Sequence, residues 1–168
     1  SIILAINISA TQFAQDNFID IVLETMNKYN IDGNQIELEI TENIMLDDVQ
    51  RVVSKLQQLG RHGIRFAIDD FGMGYSSLSY LHQLPLNNLK IDRSFISSIQ
   101  SSEDSNSIIS AIVAMAKDMN MEIVAEGVEN EVQLNYIRSL GCPIVQGYYF
   151  AKPMKTEDAK NYALSHIN

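Results

Sequence analysis

Residues 66–78 read Phe66-Ala67-Ile68-Asp69-Asp70-Phe71-Gly72-Met73-Gly74-Tyr75-Ser76-Ser77-Leu78. An apolar β-type run ends in two adjacent carboxylates and then breaks at glycine, which puts the acids where a strand meets its loop. Side chains alternate along a strand, so Asp69 can point into a site while Asp70 leaves the strand at its rim, both within reach of a divalent cation. On this stretch alone, the same pair could equally be a solvated loop start.

Working outward, the 168-residue chain is 46% hydrophobic, enough for one sizeable core and one domain or part of one. A net charge of -9 argues against binding a DNA or RNA polymer, which needs a basic surface to displace counterions from phosphate. If the ligand is nonetheless a phosphate ester, metal ions must supply the positive charge. The single Cys142, in a turn-like Gly-Cys-Pro, excludes an internal disulfide and a zinc-type cluster. It is compatible with a reducing cytoplasm, the expected location. No apolar run approaches the ~20 residues of a membrane span, although a parent protein could be tethered through another segment. The chain begins at Ser1 rather than Met and enters a strand at once, which suggests a fragment or a processed product.

In order, residues 1–9 read as a buried strand with Leu4, Ile6 and Ile8 on one side and Asn7 near its end. Residues 11–30 carry one helical period through Phe13, Phe18, Ile21, Val22, Met26 and Tyr29. Strands are expected at 36–41, 65–71, 89–92, 122–128 and 144–150. Helices are expected at 47–60, 76–84, 107–120, 131–140 and 156–167. Met115, Met119 and Met121 read as core filler rather than a ligand-binding stripe. Strand and helix alternate at ~25 to 35 residues, which indicates a parallel α/β sheet. No Gly-rich phosphate fingerprint follows the first strand, so a doubly wound dinucleotide fold is disfavoured. The expected fold is a TIM-type (β/α)8 barrel, represented by about six β/α units with the first two strands missing.

Barrels of this type do their chemistry at the carboxyl ends of the strands. There the strands offer Asn7, Glu39, Asp69 with Asp70, Lys90, Glu126 and Gln146. Oxygen donors with one lysine and no histidine suit hard cations such as Mg²⁺ or Mn²⁺. His62, His82 and His166 fall away from this rim and read as surface residues. Each rim residue also has a plain structural explanation. Asn7 can be a satisfied polar group, Glu39 part of a solvated face with Glu37, and Gln146 a partner for backbone groups. Lys90 and Glu126 are harder to explain so, because a buried charge needs a counter-charge. Two cations ~3.5 to 4 Å apart can clamp the attacking and leaving oxygens of a phosphodiester, with Asp69 as the natural bridge. Lys90 could then lower the pKa of the attacking water or balance the growing phosphate charge.

Six ordered motifs now resemble one family. They are Asn7-Ile8-Ser9, Glu37-Leu38-Glu39-Ile40-Thr41-Glu42, Asp69-Asp70 through Leu78, Lys90-Ile91-Asp92, Ala125-Glu126-Gly127-Val128-Glu129, and Gln146-Gly147-Tyr148-Tyr149-Phe150-Ala151-Lys152-Pro153. Together, from Ser1 to about Pro153, they resemble the EAL-domain family, bacterial phosphodiesterases that open cyclic di-GMP to the linear dinucleotide. The resemblance implies a barrel fold and two Mg²⁺ or Mn²⁺ ions. It implies Asn7, Glu39 and Asp69 as ligands of one ion and Asp69, Asp70 and Glu126 as those of the other. It makes Lys90 the residue that positions the nucleophilic water, Glu129 and Gln146 supports of that water and of the loop, and Glu42 a brace for the loop after Asp70. It places Tyr149, Phe150 and Pro153 near a guanine. It also implies that the loop with Gly72, Gly74 and Ser76 links the metals to a homodimer contact. Met73 stands where the family commonly has threonine.

The eponymous Glu-Ala-Leu strand has no counterpart here, so residues 1–168 are expected to be a partial EAL domain of weak or no turnover. A parent fused upstream to sensory or cyclase-like domains is the further expectation. The alternative to an enzyme is a catalytically silent cyclic di-GMP receptor. An enolase-type lyase with a lysine base would leave Asn7 and the Gln146 motif unexplained.

Overall fold

The computed structural model describes residues 2–46, 48–72, 78–101 and 107–166. Its strands are β1 (Leu4–Ile8), β2 (Ile36–Thr41), β3 (Arg65–Phe71), β4 (Asn88–Ile91), β5 (Glu122–Ala125) and β6 (Ile144–Val145). They form one sheet in the order β1-β2-β3-β4-β5-β6, and every neighbouring pair is parallel. Each strand lies beside its neighbour in sequence, so the sheet never doubles back. A doubly wound sheet reverses order at a switch point; this consecutive winding is that of a TIM-like α/β barrel.

Between the strands run α1 (Ala10–Ala14), α2 (Phe18–Tyr29), α3 (Val49–Gly60), α4 (Leu78–Leu81), α5 (Arg93–Ser97), α6 (Ser107–Asp118) and α7 (Glu131–Ser139), and α8 (Thr156–His166) follows β6. The period-2 pattern sorts the strand residues into two faces. Ile36, Leu38 and Ile40 of β2 pack with Phe66 of β3, Leu56 and Leu59 of α3, and Phe13 and Phe18. Leu89 and Ile91 of β4 and Ile123 of β5 pack with Ile109 and Val113 of α6 and Leu134 and Ile137 of α7. Shortening a fully buried residue such as Leu56 or Leu89 to alanine costs about 2 to 5 kcal/mol, because the cavity left behind adds to the lost transfer energy. Met121 is buried, and Met115 and Met119 pack against the same core, as filler. His62, His82 and His166 are all exposed.

Four expectations need correction. Residues 11–30 form two helices, because the chain turns extended at Gln15 and the Lys55 ammonium of α3 takes the Phe13 and Gln15 carbonyls at 2.6 and 2.7 Å. β1 is not buried: it forms one edge of the sheet, and Leu4 and Ile6 remain 58% and 37% exposed. β5 and β6 are both shorter than expected, stopping at Ala125 and Val145, and residues 148–150 form a turn. Finally, Asp92 starts a helix that the sequence reading missed. Its Oδ1 accepts the Ser94 N–H at 2.8 Å and caps α5.

Candidate active site

The strand face turned away from the helices is polar. β2 contributes Glu37 and Glu39, β3 Asp69, and β4 Asn88 and Lys90, each buried to within 9% of full enclosure. These residues lie in two layers. Toward the amino ends of the strands, Glu37 accepts from Asn88 Nδ2 at 2.5 Å, while Arg65 donates to Asn88 Oδ1 at 3.0 Å and to Glu122 at 2.7 Å. Burial pushes the Glu37 carboxyl up, against the pull of the Asn88 hydrogen bond. This layer ties four strands together at the closed end of the sheet.

The second layer lies at the carboxyl ends. The Lys90 ammonium sits 2.7 Å from Glu39 Oε1, 3.3 Å from Asp69 Oδ1 and 2.6 Å from Glu126 Oε1. Burial opposes a charged lysine. The hydrogen bonds to Glu126 and Glu39 and the charges of Glu126 and Asp69 more than offset this and hold its pKa well above the usual lysine range. Burial pushes the Glu126 carboxyl up despite Lys90, and the Asp69 and Glu39 charges add to the rise. Gln146 Nε2 donates to the same Glu126 Oε1 at 2.7 Å, so two donors fix that carboxylate.

A β-bulge shapes the acidic pair. Ile68 pairs with Leu89 and Phe71 with Ile91, so Asp69 and Asp70 together stand opposite the one residue Lys90. Asp70 takes the extra turn at φ 54°, a left-handed conformation that aspartate tolerates better than most residues. Asp69 stays enclosed and Asp70 is exposed at the rim. Burial, followed by the charges of Asp69 and Asp92, raises the Asp70 carboxyl. Just beyond, Glu42 Oε1 accepts the Gly72 N–H at 2.7 Å, which sets Glu42 against the start of the loop. Gly72 is left-handed at φ +93°, and a Cβ there would come within 3.0 Å of the Phe95 ring. Gly74 and Ser76 lie outside the described residues.

Asn7 pairs in register with Glu39 from the neighbouring strand and is exposed. Ser9 of the same motif caps α1: its hydroxyl accepts the Gln12 N–H at 3.2 Å, and Gln12 returns a bond to the Ser9 amide.

The donor set fits hard divalent cations. Glu39, Asp69 and Glu126 converge on one small volume with carboxylate oxygens only, and one ammonium faces three acids. Burial is the first cause of the upward shifts at Glu126 and Asp70, and the neighbouring acids add to it. Among the described residues no three His, Cys, Asp or Glu side chains stand ready around a common metal position. The point where these carboxylates meet holds the lysine ammonium, from which they would have to turn to receive an ion.

Beside this cluster opens a cavity of about 500 Å³, whose lining includes Glu126, Glu129, Gln146, Arg93, Tyr148, Lys152 and Pro153. Tyr149 and Phe150 are not among its lining residues; they pack edge to face, with ring centroids 5.2 Å apart. Two tyrosines, Tyr148 and Tyr162, line the wall, and the Arg93 guanidinium lies 5.9 Å and the Lys152 ammonium 5.8 Å from the Tyr148 ring centre. Sequence reading missed Arg93 and Tyr148. The signal for Tyr148 was its position directly after Gly147, where the chain passes too close to the Val128 backbone for any side chain.

Comparison with known proteins follows the same lines. The family model described as EAL domain matches residues 1–153. MucR of Pseudomonas aeruginosa, named a bifunctional diguanylate cyclase/cyclic di-GMP phosphodiesterase, is 42% identical over 154 residues, which are 92% of this chain and 22% of MucR. The solved MucR phosphodiesterase in complex with c-di-GMP superposes at a TM-score of 0.86 and 41% identity, over 94% of this chain and 64% of that one. NbdA of the same organism, named a cyclic di-GMP phosphodiesterase, is 39% identical over 90% of this chain and 19% of NbdA. Klebsiella pneumoniae BlrP1, solved as a manganese/cy-diGMP complex, superposes at 0.79 and 28% identity, over 90% of this chain and 39% of that one. The chain thus spans about a fifth of the length of these curated relatives.

Proposed function

Because the chain belongs to the EAL domain family, we propose that it is the catalytic part of a phosphodiesterase that opens cyclic di-GMP to the linear dinucleotide. One observation carries the reading: Glu39, Asp69 and Glu126, from three parts of the chain, converge on Lys90 at the carboxyl ends of the strands. Asn7, Glu39 and Asp69 would hold one divalent cation, and Asp69, Asp70 and Glu126 a second, with Mg²⁺ or Mn²⁺ the fitting ions. Bound there, such ions supply an acidified water and charge compensation for a phosphodiester under in-line attack.

The chain's own residues take the remaining parts. Lys90 keeps its proton through the neutral range, so it serves as a fixed cation that orients water and stabilises growing charge, rather than as a base. Gln146 holds Glu126, and Glu42 holds the backbone of Gly72, so the acids on both sides of the bulge are braced. The cavity beside Glu126 offers Tyr148 as an aromatic wall for a base and Lys152 as a cation for a phosphate. MucR's name and the small share of it that this chain covers support a longer parent with sensory or cyclase-like segments. A homodimer contact through the loop after Gly72 belongs to the same reading.

The test is to incubate the parent domain that contains this chain with cyclic di-GMP and Mn²⁺ or Mg²⁺ and to follow the linear product. Lys90→Ala and Asp69→Asn should each abolish it. Full activity in both variants would overturn the site assignment, and tight binding of cyclic di-GMP without turnover would make the protein a receptor instead.

A further inference from the structure

Arg93 has no part in the chemistry proposed above, yet it touches three walls of the cavity. Its Nη2 donates to Glu129 Oε1 at 2.6 Å, and its guanidinium lies 5.9 Å from the centre of the Tyr148 ring. To get there its aliphatic stem crosses Gly127, which sits at φ +70° and where a Cβ would overlap Arg93 Cγ. Gly127 therefore serves twice, as a left-handed turn and as the gap through which the arginine passes.

The segment from Glu126 to Asn130 is held at both ends. Gln146 fixes the Glu126 carboxylate at one end. At the other, the Glu129 N–H donates to Oε1 of buried Gln133 at 2.8 Å, and Arg93 takes the Glu129 side chain. A planar guanidinium can lie against an aromatic ring and bind a carboxylate edge-on at once, which an ammonium cannot. The Arg93 and Glu129 side chains are 59% and 42% exposed, so their pair contributes little to folding. Its geometric consequence is larger, since it registers the β4–α5 connection, the loop after β5 and the turn after β6 against one another.

We propose that Arg93 is a positioning residue that acts through Glu129. It fixes that carboxylate and the Tyr148 ring relative to Glu126, and so sets the cavity in which a cyclic dinucleotide is turned over. The inference rests on the phosphodiesterase reading, in which Glu129 supports the attacking water.

The experiment uses the parent domain that contains this chain as wild type, Arg93→Ala, Arg93→Lys, Glu129→Gln and the double variant Arg93→Ala/Glu129→Gln. Turnover of cyclic di-GMP with Mn²⁺, thermal melting, and hydrogen exchange of the amides in residues 127–130 are measured on each. Arg93→Ala should lower kcat about tenfold or more at an unchanged melting temperature, and should speed exchange at 127–130. Arg93→Lys should recover part of kcat, since it keeps the pair, but leave KM raised, since it loses the stack on Tyr148. In the Glu129→Gln background, removing Arg93 should cost less than about a further twofold. A full tenfold loss in that background, or wild-type turnover in Arg93→Ala, would overturn the proposal. An inert wild-type parent domain would overturn the phosphodiesterase reading instead, and exchange alone would then decide on Arg93: unchanged protection at 127–130 would refute it.

Discussion

The Lys90 ammonium on β4 reaches past the intervening strand β3 to Glu39 on β2, 2.7 Å away. One cation thereby spans three strands and satisfies acids from each side. Replacing it by the similarly sized Lys90→Met leaves Glu39, Asp69 and Glu126 crowded with no counter-charge. We expect a loss of about 3 to 5 kcal/mol in denaturant unfolding without divalent metal. Adding Mn²⁺ should restore part of it, since an ion that binds only the folded chain stabilises it by mass action. Equal unfolding midpoints with and without Mn²⁺ in Lys90→Met would count against a metal role for these acids.

Gln146→Ala removes one of the two donors that fix Glu126 Oε1. Partners that hold a metal ligand in place typically contribute 10- to 100-fold in affinity or activity, so the Mn²⁺ concentration for half-maximal turnover should rise by roughly that factor. Gln146 is itself exposed, so the melting temperature should barely move.

Gly147→Ala should behave in the opposite way. A Cβ at this position would overlap the Val128 backbone, including its carbonyl carbon at 2.8 Å, and backbone cannot step aside as a flexible side chain can. Overpacking of this kind costs about 1 to 3 kcal/mol, which calorimetry will register as a lowered melting temperature. Because Val128 N–H donates to Gln146 O at 3.1 Å across this contact, activity should fall with stability.

Asp92 supplies a pH test. Its carboxyl is partly buried, which would raise its pKa, but hydrogen bonds from Ser94 and Arg93 win and hold it below the ordinary 3.8. A lowered carboxyl stabilises the fold above its unfolded value and loses that contribution as pH falls through its folded value. Asp92→Ala should therefore cost about 1 kcal/mol at neutral pH, with the gap to wild type closing as acid protonates the cap. Asp92→Asn keeps a capping oxygen and should show a smaller, flatter difference. A gap that persists undiminished well below the ordinary carboxylate range would show that the cap is not what the mutation removed.

Much of this was legible from alternation. In β2, Ile36, Leu38 and Ile40 against Glu37 and Glu39 announce a strand with one greasy and one charged face, and the structure buries both. The rim residues could be picked out because a lysine and several acids recur at strand ends, where an apolar core would reject them. Contacts between distant segments left no such local trace. The break between α1 and α2 depends on the Lys55 ammonium 40 residues away from Gln15, and a single helical period runs straight across it. The wall of the cavity depends on which of two adjacent tyrosines the Gly147 turn directs inward, and composition treats Tyr148 and Tyr149 alike. Likewise, Arg93 reads as an ordinary helix-start residue until Gly127 is seen beneath it.

The two-for-one pairing at Asp69 and Asp70 lets β3 bring two neighbouring acids to one register position. Ile68 and Phe71 both face the helix-packed core although three positions separate them. Dropping either aspartate would remove the bulge: regular alternation would keep Phe71 on the greasy side with Ile68, but only one carboxylate would be left opposite Lys90. Chain length here carries chemistry rather than packing: a one-residue deletion at the pair should spare the core and cost the second acid.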